Sequence, residues 1–148
     1  MVNDGKHKGI ILLFILALLQ TNFSPTIAYL YFGMKYYVYI DNKITTYKNT
    51  VGIRCQSGDE DIGFKYLKDN DDKYNFNFRL NFWGTTLYFC HFYWGRSDFS
   101  YVVFDMGSYE ECRDGASYWE IREDGLYSRC YKGGSGGKYT WKKRHNWP

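Results

Sequence analysis

The stretch NFWGTTLYFCHFYW, Asn81 to Trp94, decides how this chain folds. Tyr88, Phe89, Phe92, Tyr93 and Trp94 crowd around Cys90 and His91, and Thr85 and Thr86 are β-branched. That composition suits a strand in mid-sheet far better than a helix. Gly84 divides the stretch into a turn and a predicted strand, Thr85–Trp94. Side chains alternate along a strand, so Cys90, Phe92 and Trp94 share one face while Leu87, Phe89, His91 and Tyr93 share the other. With both faces partly covered, this is a core strand tied down by a disulfide.

Upstream, Lys73–Leu80 shows the cleanest alternation in the chain, with Tyr74, Phe76, Phe78 and Leu80 on one side and Asn75, Asn77 and Arg79 on the other. Further strands are predicted at Met34–Asp41, Val51–Gln56 and Ile62–Leu67, and downstream at Phe99–Asp105. Tyr118–Glu123 and Leu126–Lys132 flank Asp124-Gly125, a two-residue hairpin signal, and Tyr139–Lys143 closes the series. Ile44–Thr50 reads as a polar connection and Met106–Ser117 as a loop held by a disulfide. Gly133–Gly137, GGSGG, reads as a flexible turn tip. The expectation is an all-β protein, a small antiparallel β-sandwich of about eight or nine strands, disulfide-stabilised.

The beginning of the chain reads differently. Lys6, His7 and Lys8 precede an unbroken apolar run of ten residues, Ile10–Leu19, and Thr26-Ile27-Ala28 offers small residues for cleavage. Residues 1–28 are expected to be a removed signal peptide, leaving one domain over 29–148 and an extracellular, secreted product. Ten apolar residues fall short of the roughly twenty that span a hydrocarbon core, so no membrane span is expected after cleavage. All four cysteines, Cys55, Cys90, Cys112 and Cys130, lie after the signal, and two disulfides are expected. Four cysteines allow three pairings, and the sequence does not choose among them.

The net charge of +3 argues for no nucleic-acid partner, whereas sixteen tyrosines against two prolines favour β-structure with hydroxyl-bearing rings at half-buried positions. Catalytic residues are not expected. Cys90 and His91 are neighbours on a strand, so their side chains diverge and cannot form a nucleophile pair. No spacing among cysteines and histidines converges on a metal, and Asp69-x-Asp71-x-Lys73 breaks a calcium loop at its third ligand. The glycine run beside Lys138 lacks the first glycine and the Ser/Thr of a phosphate loop, so no cofactor is expected.

The motifs together resemble one family. Ile53-Arg54-Cys55-Gln56-Ser57 followed by Asp59, Asp61 and Ile62-Gly63 is similar to the cysteine-serine-acidic-Leu-Gly segment of the plant self-incompatibility S1 proteins, the secreted S-protein homologues. Tyr74-x-Phe76-x-Phe78, then Asn81-Phe82-Trp83-Gly84-Thr85-Thr86-Leu87 and Phe89-Cys90-x-Phe92-x-Trp94, resemble that family's centre. Phe104-Asp105, Cys112, Trp119-x-Ile121-x-x-Asp124-Gly125, Trp141-x-Lys143 and Trp147 follow in order. Arg54 departs from the histidine frequent before the first cysteine, and GGSGG stretches the final hairpin.

The resemblance implies a secreted, non-enzymatic recognition or signalling ligand that binds a cell-surface receptor or another extracellular protein. Its partner-binding candidates are loop residues: Asp59 and Asp61, Asp69 and Asp71, Arg96, and Lys132 and Lys138. An alternative is an apoplastic carbohydrate-binding module or weak hydrolase, in which Trp83, Trp119 or Trp141 would stack on sugars. Core packing is the simpler expectation for those tryptophans.

Overall fold

β1 (Lys35–Asn42) alternates Tyr36, Val38 and Ile40, all fully buried, with Lys35, Tyr37 and Tyr39, which are not. A strand with one face in the core requires this period of two. Eight more strands follow in the computed structural model, which describes residues 32–111, 115–129 and 139–148, all within the unit Tyr31–Pro148. They are β2 (Val51–Gln56), β3 (Asp61–Leu67), β4 (Lys73–Arg79), β5 (Tyr88–Trp94), β6 (Ser97–Phe104), β7 (Ala116–Arg122), β8 (Gly125–Arg129) and β9 (Lys142–His145). A short helix, α1 (Met106–Glu111), joins β6 to β7.

Two sheets result: a five-stranded one in the order β4-β1-β7-β8-β9 and a four-stranded one in the order β3-β2-β5-β6. Every pairing is antiparallel except that of β1 with β7. The inward faces meet in an aromatic core. Tyr36 and Phe78 of the first sheet lie 4.5 and 4.7 Å, centroid to centroid, from Phe104 of the second, and Phe78 stacks on Tyr88 at 4.2 Å. Such pairs contribute about 0.5–1.5 kcal/mol each beyond the area they bury.

Cys55 on β2 sits directly opposite Cys90 on β5 in the antiparallel register, and the two form a disulfide with Cα atoms 4.0 Å apart. Both are fully buried. Register chooses this pairing, which is a tertiary property. Cys112 and Cys130 lie outside the described residues.

Several boundaries differ from the sequence expectation for identifiable reasons. β5 begins at Tyr88 rather than Thr85, because Asn81 captures the two threonines: its Oδ1 accepts from Thr85 N at 3.0 Å, and its N donates to Thr86 Oγ1 at 2.9 Å. These local bonds hold a turn where the composition favoured a strand. Met106–Glu111 is helical rather than loop, since Asp105 Oδ1 caps it by accepting from Ser108 N and Oγ at 2.6 and 2.7 Å. Ile44, expected in a polar connection, is fully buried. The last strand is Lys142–His145, shifted from Tyr139–Lys143.

The β7–β8 turn also moves by one residue. Arg122 pairs with Gly125, so Glu123-Asp124 forms the tip and Gly125 opens β8 with φ 144. A Cβ at Gly125 would stand 2.0 Å from the His145 carbonyl oxygen. Close approach of β9, rather than turn conformation alone, demands this glycine.

Candidate partner-binding surface

The strands divide the loops between the two ends of the sandwich. The β2–β3 loop, residues 57–60, and the β4–β5 connection, residues 80–87, lie at one end. The β3–β4 loop, residues 68–72, leaves β3 at its opposite end, roughly 20 Å away at the rise of a seven-residue strand. Gly95-Arg96 and Glu123-Asp124 share that second end with residues 43–50. The candidate loop residues therefore do not form one site.

The second end is braced. Asn42, fully buried, donates from Nδ2 to Asn49 O at 2.6 Å and Asp69 O at 3.2 Å, joining two loops. Asp72 accepts from the backbone N–H groups of Lys68 and Asp69 at 2.8 and 3.2 Å, which holds its carboxyl below the usual range. Asp71 adopts φ 71, and its carboxylate is paired with Lys43. Thr45 donates from N and Oγ1 to Glu123 at 2.7 and 3.0 Å, and the Trp94 indole donates to Lys48 O. Asp69 and Arg96 are exposed here, Arg96 beside Gly95 with φ 63.

The first end displays side chains. Asp59 stands exposed in a tight turn, in which Ser57 Oγ accepts from Asp59 N and Glu60 N at 3.2 and 3.0 Å. Asp61 opens β3 instead of lying in the loop; Arg54 beside it and the Gly63 N–H hold its carboxyl below the usual range. Lys132 and Lys138 lie outside the described residues.

Core packing, the simpler sequence expectation for Trp83, does not hold at this end. Trp83 is 74% exposed at the tip of the Asn81–Thr86 turn, with Phe82 at 5.3 Å in edge contact and Phe32 packed on Phe82 at 5.8 Å. Gly84, at φ 66, lets the chain reverse there. Asn81 followed by threonines four and five residues later was the available signal, because an Asx side chain competes with the ladder for backbone N–H groups. A depression of about 250 Å³ bordered by Asn81, Thr85 and Thr86 of the turn is lined as well by Asp59, Glu60, Arg79, Leu87 and Tyr88. The end thus presents a rigid apolar knob next to carboxylates and one guanidinium.

Of the other tryptophans, Trp119 is buried and donates to Ser117 Oγ at 3.2 Å, as core packing predicts, and Trp141 is half-buried. Cys90 and His91 diverge as alternation requires. His91 lies on the outer face, with Nε2 2.8 Å from Asp98 Oδ2 and Nδ1 2.9 Å from Ser100 Oγ. Among the described residues no cluster of three or more His, Cys, Asp and Glu side chains is placed to hold a metal ion. No helix among them is long and apolar enough to cross a membrane.

A two-sheet sandwich clamped in mid-sheet by a disulfide, with its exposed rings carried on a turn, defines a small disulfide-stabilised β-sandwich protein. The chain belongs to the plant self-incompatibility protein S1 family, whose family model matches residues 37–147. It is 35% identical over 104 residues to S-protein homolog 21 of Arabidopsis thaliana, covering 65% of this chain and 74% of that protein. With S-protein homolog 5 of the same plant it shares 30% identity over 108 residues, 67% of this chain and 77% of the relative. S-protein homolog 2, 32% identical over 80 residues, is matched over 51% of this chain and 49% of its own length. No solved structure matches the chain. The family is one of self-incompatibility S-proteins and not a known enzyme family.

Proposed function

We propose that the chain is a secreted, non-enzymatic recognition ligand of the S1 type, directed to the exterior by residues 1–28, and that it binds an extracellular or cell-surface protein through the end carrying Trp83. The observation that carries this reading is the Asn81–Thr86 turn. Its side-chain hydrogen bonds fix the backbone before binding, and the tip holds an exposed tryptophan. Pre-organisation lowers the entropy cost of association, and tryptophan is enriched among the residues that dominate binding energy. Asp59, Glu60 and Arg79 line a depression bordered by Asn81, Thr85 and Thr86 of the same turn, and polar groups at the edge of an apolar centre are what such a surface uses.

Saturable binding of the labelled, disulfide-bonded chain to plant plasma membranes tests this. Unlabelled native protein should displace it, and Trp83→Ala should compete at least about 30-fold less well, the loss expected of a central anchor worth ~2 kcal/mol. The variant should unfold within about 0.5 kcal/mol of the native chain, since Trp83 is mostly outside the core. Binding that never saturates, or a Trp83→Ala chain that competes equally, removes the proposal.

A further inference from the structure

The outer faces of the two sheets differ in charge, and the difference is invisible in the overall balance. On the four-stranded sheet the outward Phe64, Tyr66 and Tyr93 accompany Arg54, already paired with Asp61, and Asp98, already bonded to the His91 ring. The outward face of the five-stranded sheet carries Lys35, Lys73, Arg79, Arg122, Arg129 and Lys143 against Asp41 and Glu120. Arg122 is bonded to Glu120, with Nε 2.8 Å from Oε2, and Lys143 to Asp124 at 2.9 Å. No carboxylate among the described residues lies within ion-pair distance of Lys35, Arg79 or Arg129.

Aromatic rings connect these cations into a row across the strands. Lys35 Nζ lies 5.5 Å from the Tyr37 ring, and the rings of Tyr37, Tyr39 and Tyr118 follow within 9° and 11° of parallel at 6.2 and 5.2 Å. Arg129 then lies 5.2 Å from Tyr118 and 4.8 Å from Trp141. Arg122 lies 5.4 Å from Trp141 and 4.1 Å from Tyr127. Arg129 Nε is buried without a hydrogen-bond partner. Ring contacts hold the Arg129 guanidinium at the face without neutralising it, whereas Arg122 in the same row is paired with Glu120.

We propose that this face binds an acidic polysaccharide, a polymer of carboxylate-bearing sugars. Lys35 and Arg129, both without a carboxylate partner among the described residues, stand apart along the row and match carboxylates repeated along a chain, and tyrosine phenols offer donors and acceptors to sugar hydroxyls. Nucleic acid fits less well, because bases bind by stacking on open ring faces and here the rings already pack on one another and on cations. A lipid surface fits less well too. Among the described residues the exposed large hydrophobic side chains on this side are Tyr37 and Tyr139, with no aliphatic wedge to insert. Of the three tryptophans a sugar-binding reading would invoke, only Trp141 belongs to this row.

The test uses the full disulfide-bonded chain and four probes: immobilised polygalacturonate, the same polymer with its carboxylates methyl-esterified, single-stranded RNA, and vesicles of phosphatidylcholine with phosphatidylserine. Saturable binding to polygalacturonate that weakens with salt is expected, with the esterified polymer at least about ten-fold weaker. The double variant Lys35→Glu, Arg129→Glu should lose at least about ten-fold in affinity, whereas Trp83→Ala should bind as the native chain does. Should Arg129→Glu impair folding, Lys35→Glu with Lys143→Glu, both at exposed positions, gives the same readout. Absence of saturable binding to polygalacturonate, tighter binding to RNA or vesicles, or unchanged affinity in the charge-reversed chains overturns the proposal.

Discussion

Tyr88 donates its phenolic hydrogen to Glu60 Oε2 across 2.8 Å, so the first residue of β5 holds the tip of the β2–β3 hairpin. Burial first, and the Glu60 carboxylate second, push the phenol up to about 12. One bond thereby ties a core strand to the surface proposed to meet a partner.

Replacing Tyr88 by Phe should cost ~1.5–3 kcal/mol, the worth of a hydrogen bond to a charged acceptor, and should speed amide exchange at Asp59 and Glu60. A phenol whose folded value exceeds the ordinary 10 contributes stability that is complete below pH 10 and lost as pH rises toward 12. The native chain should therefore lose stability across that window more steeply than Tyr88→Phe, as denaturant midpoints would register. Parallel curves would show that the phenol is not held.

The Cys55–Cys90 bridge closes a separation of 35 residues between adjacent strands. Replacing both cysteines by Ala should lower unfolding free energy by ~2–4 kcal/mol in urea titrations, because the open chain regains loop entropy. The β2–β5 register should persist, since Ile53 and Phe92 remain as buried neighbours across it.

Gly125→Ala should be among the most damaging small substitutions. Its backbone sits at φ 144, and the added methyl meets the His145 carbonyl, a backbone atom that cannot turn aside. A loss of more than ~2 kcal/mol is expected, with β9 amides exchanging first. A thermal midpoint within error of the native one would show that β9 is not held against β8 as described.

Acid should weaken the far end of the sandwich. Asp72 is held below its ordinary value of 3.8 by the N–H groups of Lys68 and Asp69, so its contribution is present above that value and fades as pH falls through the lower, folded one. Asp72→Asn should lower stability across the neutral range, where the ionised carboxylate contributes, and flatten its dependence on pH below about 4. The slope that remains belongs to Asp61, Glu123 and Asp124, which are lowered in the same direction by Arg54, by the Thr45 N–H and by Tyr127 respectively.

Asn81–Trp94 shows where sequence and tertiary structure divide. Alternation placed Cys90 and Phe92 on one face and His91 and Tyr93 on the other, because strand periodicity is a local property, and the structure makes the first of these faces the core. The same reasoning carried the strand back to Thr85, since propensity does not register side-chain hydrogen bonds that only a closed turn can make. A sandwich of eight or nine strands, and the family, were legible from alternation and motif order. Tertiary structure alone decided that Cys55 meets Cys90, that the candidate loops separate to opposite ends, and that cations scattered through the sequence assemble on one face. Each of these depends on which strands become neighbours, and that is settled by non-local packing of the aromatic core and by no local pattern along the chain.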